Sequence, residues 1–272
     1  MGGFLSMVSN LSIIFMSISL IICLALPIGG IIYLKKKYNA SLKPFFIGMI
    51  VFFITVQILE APIHNYILKI NKGTSEFLLS NPVFYMLYGG LMAGIFEETA
   101  RLIAFKFLIK DRKGTTPIAY GVGHGGIEAI LIGGISAINT ISYSVLINNG
   151  KFQTLMESAG VSTEIINQTF NQLANSSSIY WLMPGIERMI AMVIQISLSV
   201  LVFYAVKERK YIFFFVAILC HALIDFPAAL YQVGVLRNIY IVEVITLILA
   251  IVLTTLVFGK LTKKFKKNDE II

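Results

Sequence analysis

The chain has 272 residues, of which 57% are hydrophobic and 13% are charged, and its mean hydropathy is +0.83. Soluble domains carry about a quarter charged residues, so this composition excludes a soluble globular protein and predicts an integral membrane protein. The net charge of +8 would suit nucleic-acid binding only if the basic residues formed one face of a soluble domain. They stand instead in short clusters between apolar runs, and no nucleic-acid partner is expected.

The apolar runs predict the membrane spans. A transmembrane helix requires about 20 predominantly apolar residues. Seven runs meet this length, at 11–34, 44–68, 82–109, 117–147, 179–206, 211–231 and 239–258. The sequence therefore predicts an all-α fold, a polytopic bundle of about seven transmembrane helices that forms one transmembrane domain over residues 1–272.

The distribution of lysine and arginine between the spans predicts their orientation. These residues concentrate in alternate connections, such as 35–37 and 106–113, and in the tail 259–272. Cytoplasmic connections carry the excess of basic residues. We therefore predict an N-terminus outside, a basic cytoplasmic tail, and an external loop at about 148–178.

Half of the acidic residues and all of the histidines lie within the predicted spans. Each ionised side chain at the centre of a membrane helix costs about 2.5 to 3.5 kcal/mol. Neighbouring helices must therefore hold these groups by pairing, by neutralisation or in a wet cavity. The residues are Glu60, His64, Glu97, Glu98, His124, Glu128, Glu187, His221, Asp225 and Glu243.

The spacing of these polar residues predicts that they form stripes on their helices. Residues four apart lie on one helical face, and this spacing joins Glu60 with His64, Glu97 with Arg101, His124 with Glu128, and His221 with Asp225. At about 1.5 Å per residue, Glu97, His124 and His221 fall at similar depths. A single shared site is therefore possible.

Structural and functional interpretations both fit these residues. Glu97 and Arg101 could form an internal ion pair that fixes packing, and the glycines of GVGHGG at 121–126 could serve a close helix crossing. The cluster could also hydrolyse a bond with a carboxylate base or a metal such as zinc, carry protons in a coupled transporter, or hold together a scaffold without activity.

Three motifs resemble those of a known superfamily. EETAR at 97–101 resembles the Glu-Glu-x-x-x-Arg motif of the CAAX prenyl protease and bacteriocin-processing superfamily of intramembrane proteases. YGVGH at 120–124 and HALID at 221–225 resemble its second and last motifs. Together with GHGGIEAI and the pair of Glu187 and Arg188, they are most similar to the YhfC family of membrane peptidases, over nearly the whole chain.

The resemblance implies an intramembrane endopeptidase that acts on a membrane-associated protein or peptide. By matched position, Glu97 would activate water, His124 would help to position that water, and His221 with Asp225 would steady the oxyanion. Asp225 stands where the prenyl protease branch has Asn. An ionised Asp cannot donate a hydrogen bond, so Asp225 would have to be protonated or bind a cation.

The resemblance leaves the metal and the supporting residues open. The superfamily is described both as metalloproteases and as glutamate-dependent proteases, so a divalent metal such as zinc is one possibility. The expected surroundings are the membrane lipid of a bacterial cell, in a multi-pass protein. Candidate metal ligands are Glu97, His124, His221 and Asp225, and candidate supporting residues are Glu98, Arg101, Glu128, Glu187 and Arg188. The alternatives are an inactive membrane scaffold or a proton-coupled transporter.

Overall fold

The computed structural model describes residues 7–261, and within that range the chain is helical with no β-strand. Helices are expected because a backbone in lipid must satisfy its hydrogen bonds within the spanning segment. The prediction of an all-α membrane protein is confirmed. The described helices are α1 (Asn10–Tyr38), α2 (Leu42–Ile70), α3 (Lys72–Ser80), α4 (Pro82–Leu108), α5 (Thr115–Asn148), α6 (Phe152–Ser158), α7 (Thr163–Asn175), α8 (Ser178–Lys207), α9 (Ile212–Gln232) and α10 (Ile239–Gly259).

Six of these helices are long and apolar enough to cross a membrane, and a seventh span results if α3 and α4 count as one bent span. The seven predicted runs each coincide with one helix, namely α1, α2, α4, α5, α8, α9 or α10. The predicted orientation stays a prediction. Most of the predicted basic tail, 259–272, lies outside the described residues.

The bend of 110° between α3 and α4 follows from the local sequence. Pro82 is the first residue of α4, and Asn81 before it has φ −123° and ψ 86°. Proline lacks a backbone N–H and disfavours helical dihedrals at the residue before it. The chain therefore leaves the axis of α3 at Asn81 and starts a new helix at Pro82.

The described chain forms two compact units. The first contains residues up to Ala25 and Ala129–Arg188, and the second contains Leu26–Glu128 and the residues from Met189 onward. The predicted single domain over 1–272 stays a prediction. Every residue of the polar cluster described below belongs to the second unit, whereas the predicted supporting residues Glu187 and Arg188 belong to the first.

The first unit has an apolar core to which the predicted external loop contributes two helices, α6 and α7. One face of α7 is buried through Ile166, Phe170 and Leu173, with the spacing of an amphipathic helix. The side chain of Asn148 accepts a hydrogen bond from the backbone N–H of Val8 at 2.8 Å. The core residues are Val8, Met16, Ile147, Phe152, Ile166, Phe170, Leu173 and Trp181.

In the second unit, glycines allow pairs of helices to approach to backbone contact. A Cβ atom on Gly123 of α5 would lie 1.9 Å from the carbonyl oxygen of Phe45 on α2, and one on Gly94 of α4 would lie 2.7 Å from that of Ile218 on α9. Small residues permit such approaches between membrane helices. The predicted close crossing at GVGHGG is therefore confirmed.

We expect Gly123→Ala to destabilise the protein. The added methyl group would meet backbone atoms of Phe45, which cannot rotate away, and overpacking of this kind costs about 1 to 3 kcal/mol. The measurement is the unfolding free energy of the purified protein in detergent.

Gly29→Ala is the matched control, because a Cβ at this helical position of α1 meets no atom within 4 Å. Alanine is favoured over glycine in a helix by up to about 1 kcal/mol, so this variant should be as stable as the wild type or more stable. Equal losses in both variants would contradict the close crossing.

Candidate active site

Within the second unit, polar side chains from four helices converge in one cluster, called the polar cluster below. Helix α4 contributes adjacent carboxylates and a guanidinium one turn later, α5 and α9 each contribute a histidine and a carboxylate four residues apart, and α8 contributes one amide. The members are Glu97, Glu98, Arg101, His124, Glu128, Gln195, His221 and Asp225.

A buried ion pair lies at the centre of the polar cluster. Arg101 Nη1 donates to both oxygens of Glu98, at 2.7 and 2.8 Å, and both side chains are 0% exposed. His221 Nδ1 lies 2.7 Å from Glu98 Oε1. Glu98 thus joins α4 to α9.

The partner of Arg101 differs from the one that the sequence suggested. The spacing of four pointed to a pair with Glu97, whereas the structure pairs Arg101 with Glu98, three residues before it. Both spacings bring side chains together on a helix. Because Arg101 pairs with Glu98, the carboxylate of Glu97 can contact residues on other helices.

Glu97 contacts both histidines that the motifs singled out. Its Oε2 lies 2.8 Å from His124 Nε2 and 4.0 Å from His221 Nε2. The structure therefore brings together the three residues that the sequence placed at similar depths. His124 is completely buried and packs edge-on against Phe52, with ring centroids 4.9 Å apart.

Gln195 is the member of the polar cluster that sequence reasoning missed. Its Nε2 donates to Glu97 Oε2 at 3.2 Å and to Glu128 Oε2 at 2.9 Å, and its Oε1 accepts from Arg101 Nη2. The only signal was one amide in the apolar run IAMVIQISLSVLVF at 190–203. Polar residues in membrane spans usually face the interior of the bundle, and this rule could have identified it.

Glu97, His124 and Glu128 form the group in residues 7–261 that could hold a metal ion. One ligand atom from each lies within 4.8 Å of the others. Imidazole and carboxylate ligands suit zinc, and catalytic zinc sites have three protein ligands with one position open. The donor set therefore fits a catalytic zinc site. Glu128, predicted as a supporting residue, belongs to this group.

The other two metal candidates lie beside this group in the described structure. His221 is fixed through Nδ1 by Glu98, and its Nε2 lies 3.5 Å from Asp225 Oδ2. The side chain of Asp225 is 38% exposed, whereas Glu98 and Arg101 are fully buried. Asp225 therefore marks the open edge of the polar cluster.

Other ionisable residues of the spans form two further pairs. His64 Nε2 lies 3.0 Å from Glu60 Oε1, and its Nδ1 lies 2.7 Å from the hydroxyl of Tyr88. In the first unit, Arg188 pairs with the adjacent Glu187. A supporting role of Glu187 and Arg188 in the site stays a prediction.

Comparison with known proteins agrees with the motifs. The family model described as YhfC intramembrane metalloprotease matches residues 22–246. A protein of Bacillus subtilis (strain 168), named "Uncharacterized membrane protein YhfC", is 43% identical over 245 residues, which cover 90% of this chain and 94% of that protein. No solved structure matches the chain.

We expect Arg101→Met to lower the unfolding free energy by about 3 to 5 kcal/mol, because it leaves the buried carboxylate of Glu98 without its cation. The double variant Glu98→Gln with Arg101→Met removes both charges and should be less destabilised than Arg101→Met alone. The measurement is denaturant unfolding in detergent.

Arg237→Met is the control for the loss of an arginine, because Arg237 is exposed and donates only to a backbone carbonyl, that of Gly234, at 3.3 Å. Its unfolding free energy should stay close to that of the wild type. A double variant less stable than Arg101→Met would contradict the importance of pairing these two charges.

Proposed function

We propose that this chain, which belongs to the YhfC intramembrane metalloprotease family, hydrolyses peptide bonds of a membrane-associated protein or peptide within the membrane. The observation that carries the proposal is the group of Glu97, His124 and Glu128, whose ligand atoms lie within 4.8 Å of one another among helices that are otherwise apolar. Membership of this metalloprotease family supports the reaction class, and the donor set supports the metal.

Glu97, His124 and Glu128 would hold the metal ion, for which zinc is the proposed identity. A divalent ion held there would act as a Lewis acid. It would polarise the peptide carbonyl and make water a better nucleophile. Carboxylates and a buried imidazole hold such an ion without a cysteine. The two cysteines of the chain, Cys23 and Cys220, have no role in the proposed site.

Glu97 is the proposed base for the attacking water. Its Oε2 lies beside His124 and accepts from Gln195, which leaves Oε1 to accept a proton. Water loses this proton to Glu97 as its oxygen bonds to the carbonyl carbon. The leaving nitrogen takes the proton when the carbon–nitrogen bond breaks.

His221 is the proposed donor to the oxyanion that forms on the carbonyl oxygen. Glu98 holds its Nδ1 at 2.7 Å, so the ring presents Nε2 toward Glu97 and Asp225. A donor fixed before the reaction stabilises developing charge more than a mobile one does. Because Nδ1 faces the carboxylate of Glu98, Nε2 donates when both ring nitrogens carry a proton, and the carboxyl group of Asp225 lies 3.5 Å from Nε2.

Glu98 and Arg101 support this arrangement without contacting the substrate. Their paired side chains are fully buried, and they fix His221 on one side and Gln195 on the other. The proposed substrates are membrane-associated polypeptides that reach the helix bundle from within the membrane. The assay below therefore uses the protein in a lipid membrane.

We expect Glu97→Gln to lower peptide-bond cleavage by at least about 10²-fold, because it removes the general base, whose contribution is typically about 10²- to 10⁴-fold, together with one ligand of the metal ion. The purified protein in liposomes would be incubated with membrane proteins from a host strain that lacks this gene. New N-termini would then be counted by mass spectrometry. A zinc chelator should abolish cleavage by the wild type, and added zinc should restore it.

Glu60→Gln is the matched control, since Glu60 is also a buried carboxylate in a membrane span but pairs with His64. This variant should cleave like the wild type. Equal cleavage by the wild type and Glu97→Gln would overturn the role of Glu97. New N-termini no more numerous with the wild type than with liposomes alone would favour the interpretation as a scaffold.

A further inference from the structure

Gln195 has an amide whose orientation is determined by its neighbours. Arginine has only donors, and an ionised carboxylate has only acceptors. The carbonyl oxygen must therefore face Arg101, and the NH₂ group must face the carboxylates, as the structure has it. The reversed amide would place donor against donor and acceptor against acceptor.

The stem of Gln195 is also confined. The side chain belongs to a residue that is only 4% exposed, on α8. A Cβ atom on Gly125 of α5 would lie 3.1 Å from Gln195 Cβ and 3.3 Å from its Cγ. Glycine at this position of α5 therefore gives the stem its space.

We propose that Gln195 is a positioning residue that holds the carboxylates of Glu97 and Glu128 in the arrangement that binds the metal. This inference rests on the function proposed above. The two N–H bonds of one planar amide reach one oxygen of each carboxylate, at 3.2 and 2.9 Å. The amide thereby fixes the separation of two groups that would otherwise repel each other.

The rigidity of this amide comes from the buried ion pair. Arg101 holds the carbonyl oxygen of Gln195, and Glu98 holds Arg101 with two hydrogen bonds. Hydrogen bonds between charged groups are about twice as strong as those between neutral groups, so Glu98 restrains Arg101 and Arg101 restrains the amide. A continuous chain of contacts thus runs from Glu98 through Arg101 and Gln195 to both carboxylates of the metal-binding group.

We expect Gln195→Met to weaken zinc binding about 10- to 100-fold, the loss typical when a partner of a metal ligand is removed. Methionine has a similar length and shape and no N–H group. Zinc affinity of the purified protein in detergent would be measured by competition with a chromogenic chelator. The absorption spectrum of bound Co²⁺ should change as well, because it reports ligand geometry.

Two further variants isolate this effect. Ser199→Ala removes a buried polar group of the same helix, whose hydroxyl donates only to the backbone carbonyl of Gln195, at 2.6 Å. Its zinc affinity and Co²⁺ spectrum should match those of the wild type. If Gln195→Met does not fold, Gln195→Asn replaces it, because its amide is one methylene too short to bridge both carboxylates, and it should also bind zinc more weakly.

The outcomes separate this inference from the proposed function. If the wild type binds zinc, Glu97→Gln does not, and Gln195→Met binds it with the affinity and Co²⁺ spectrum of the wild type, the positioning role is overturned and the proposed metal site stands. A lower unfolding temperature with unchanged metal binding would likewise leave Gln195 a packing residue. A wild-type protein that binds no zinc would overturn both.

Discussion

The pairing of Arg101 with Glu98 is the interaction on which the rest of the polar cluster depends. A guanidinium inside a membrane protein requires acceptors, since its charge cannot be removed by loss of a proton. The structure gives it both oxygens of Glu98 and the carbonyl oxygen of Gln195. Satisfying this one charge fixes α4 against α8, and the second contact of Glu98, with His221, fixes α4 against α9.

These contacts require helices that approach more closely than ordinary side chains allow. Gly94 brings α4 to the backbone of α9, and Gly121 and Gly123 bring α5 to α8 and α2. Glutamate and histidine side chains, which do not reach as far as lysine or arginine, can then meet across the crossings. The glycines of GVGHGG thus allow the close packing that places His124, which lies among them, beside Glu97.

Much of this arrangement follows from the sequence, because membrane spans require long apolar runs and charged residues within them require partners. Those two constraints predicted the helices and made a shared site of Glu97, His124 and His221 possible, whereas the family was identified from the resemblance of three motifs. Spacing alone could not predict whether Glu97 or Glu98 would pair with Arg101, since residues three apart and residues four apart both lie on one helical face. Gln195 was missed because its partners lie on two other helices and none lies on its own. The link to the wider prenyl protease superfamily stays a prediction.

The side chains of the polar cluster are exposed to different degrees, and this determines which chemical groups an inhibitor would need. The side chains of Glu98 and Arg101 are fully buried, that of Glu97 is 9% exposed, and that of Asp225 is 38% exposed. A compound would meet the carboxyl group of Asp225 before the fully buried Glu98 and Arg101. A short tail that donates hydrogen bonds, joined to the part of the compound that enters the cluster, would therefore suit the carboxyl oxygens at this edge.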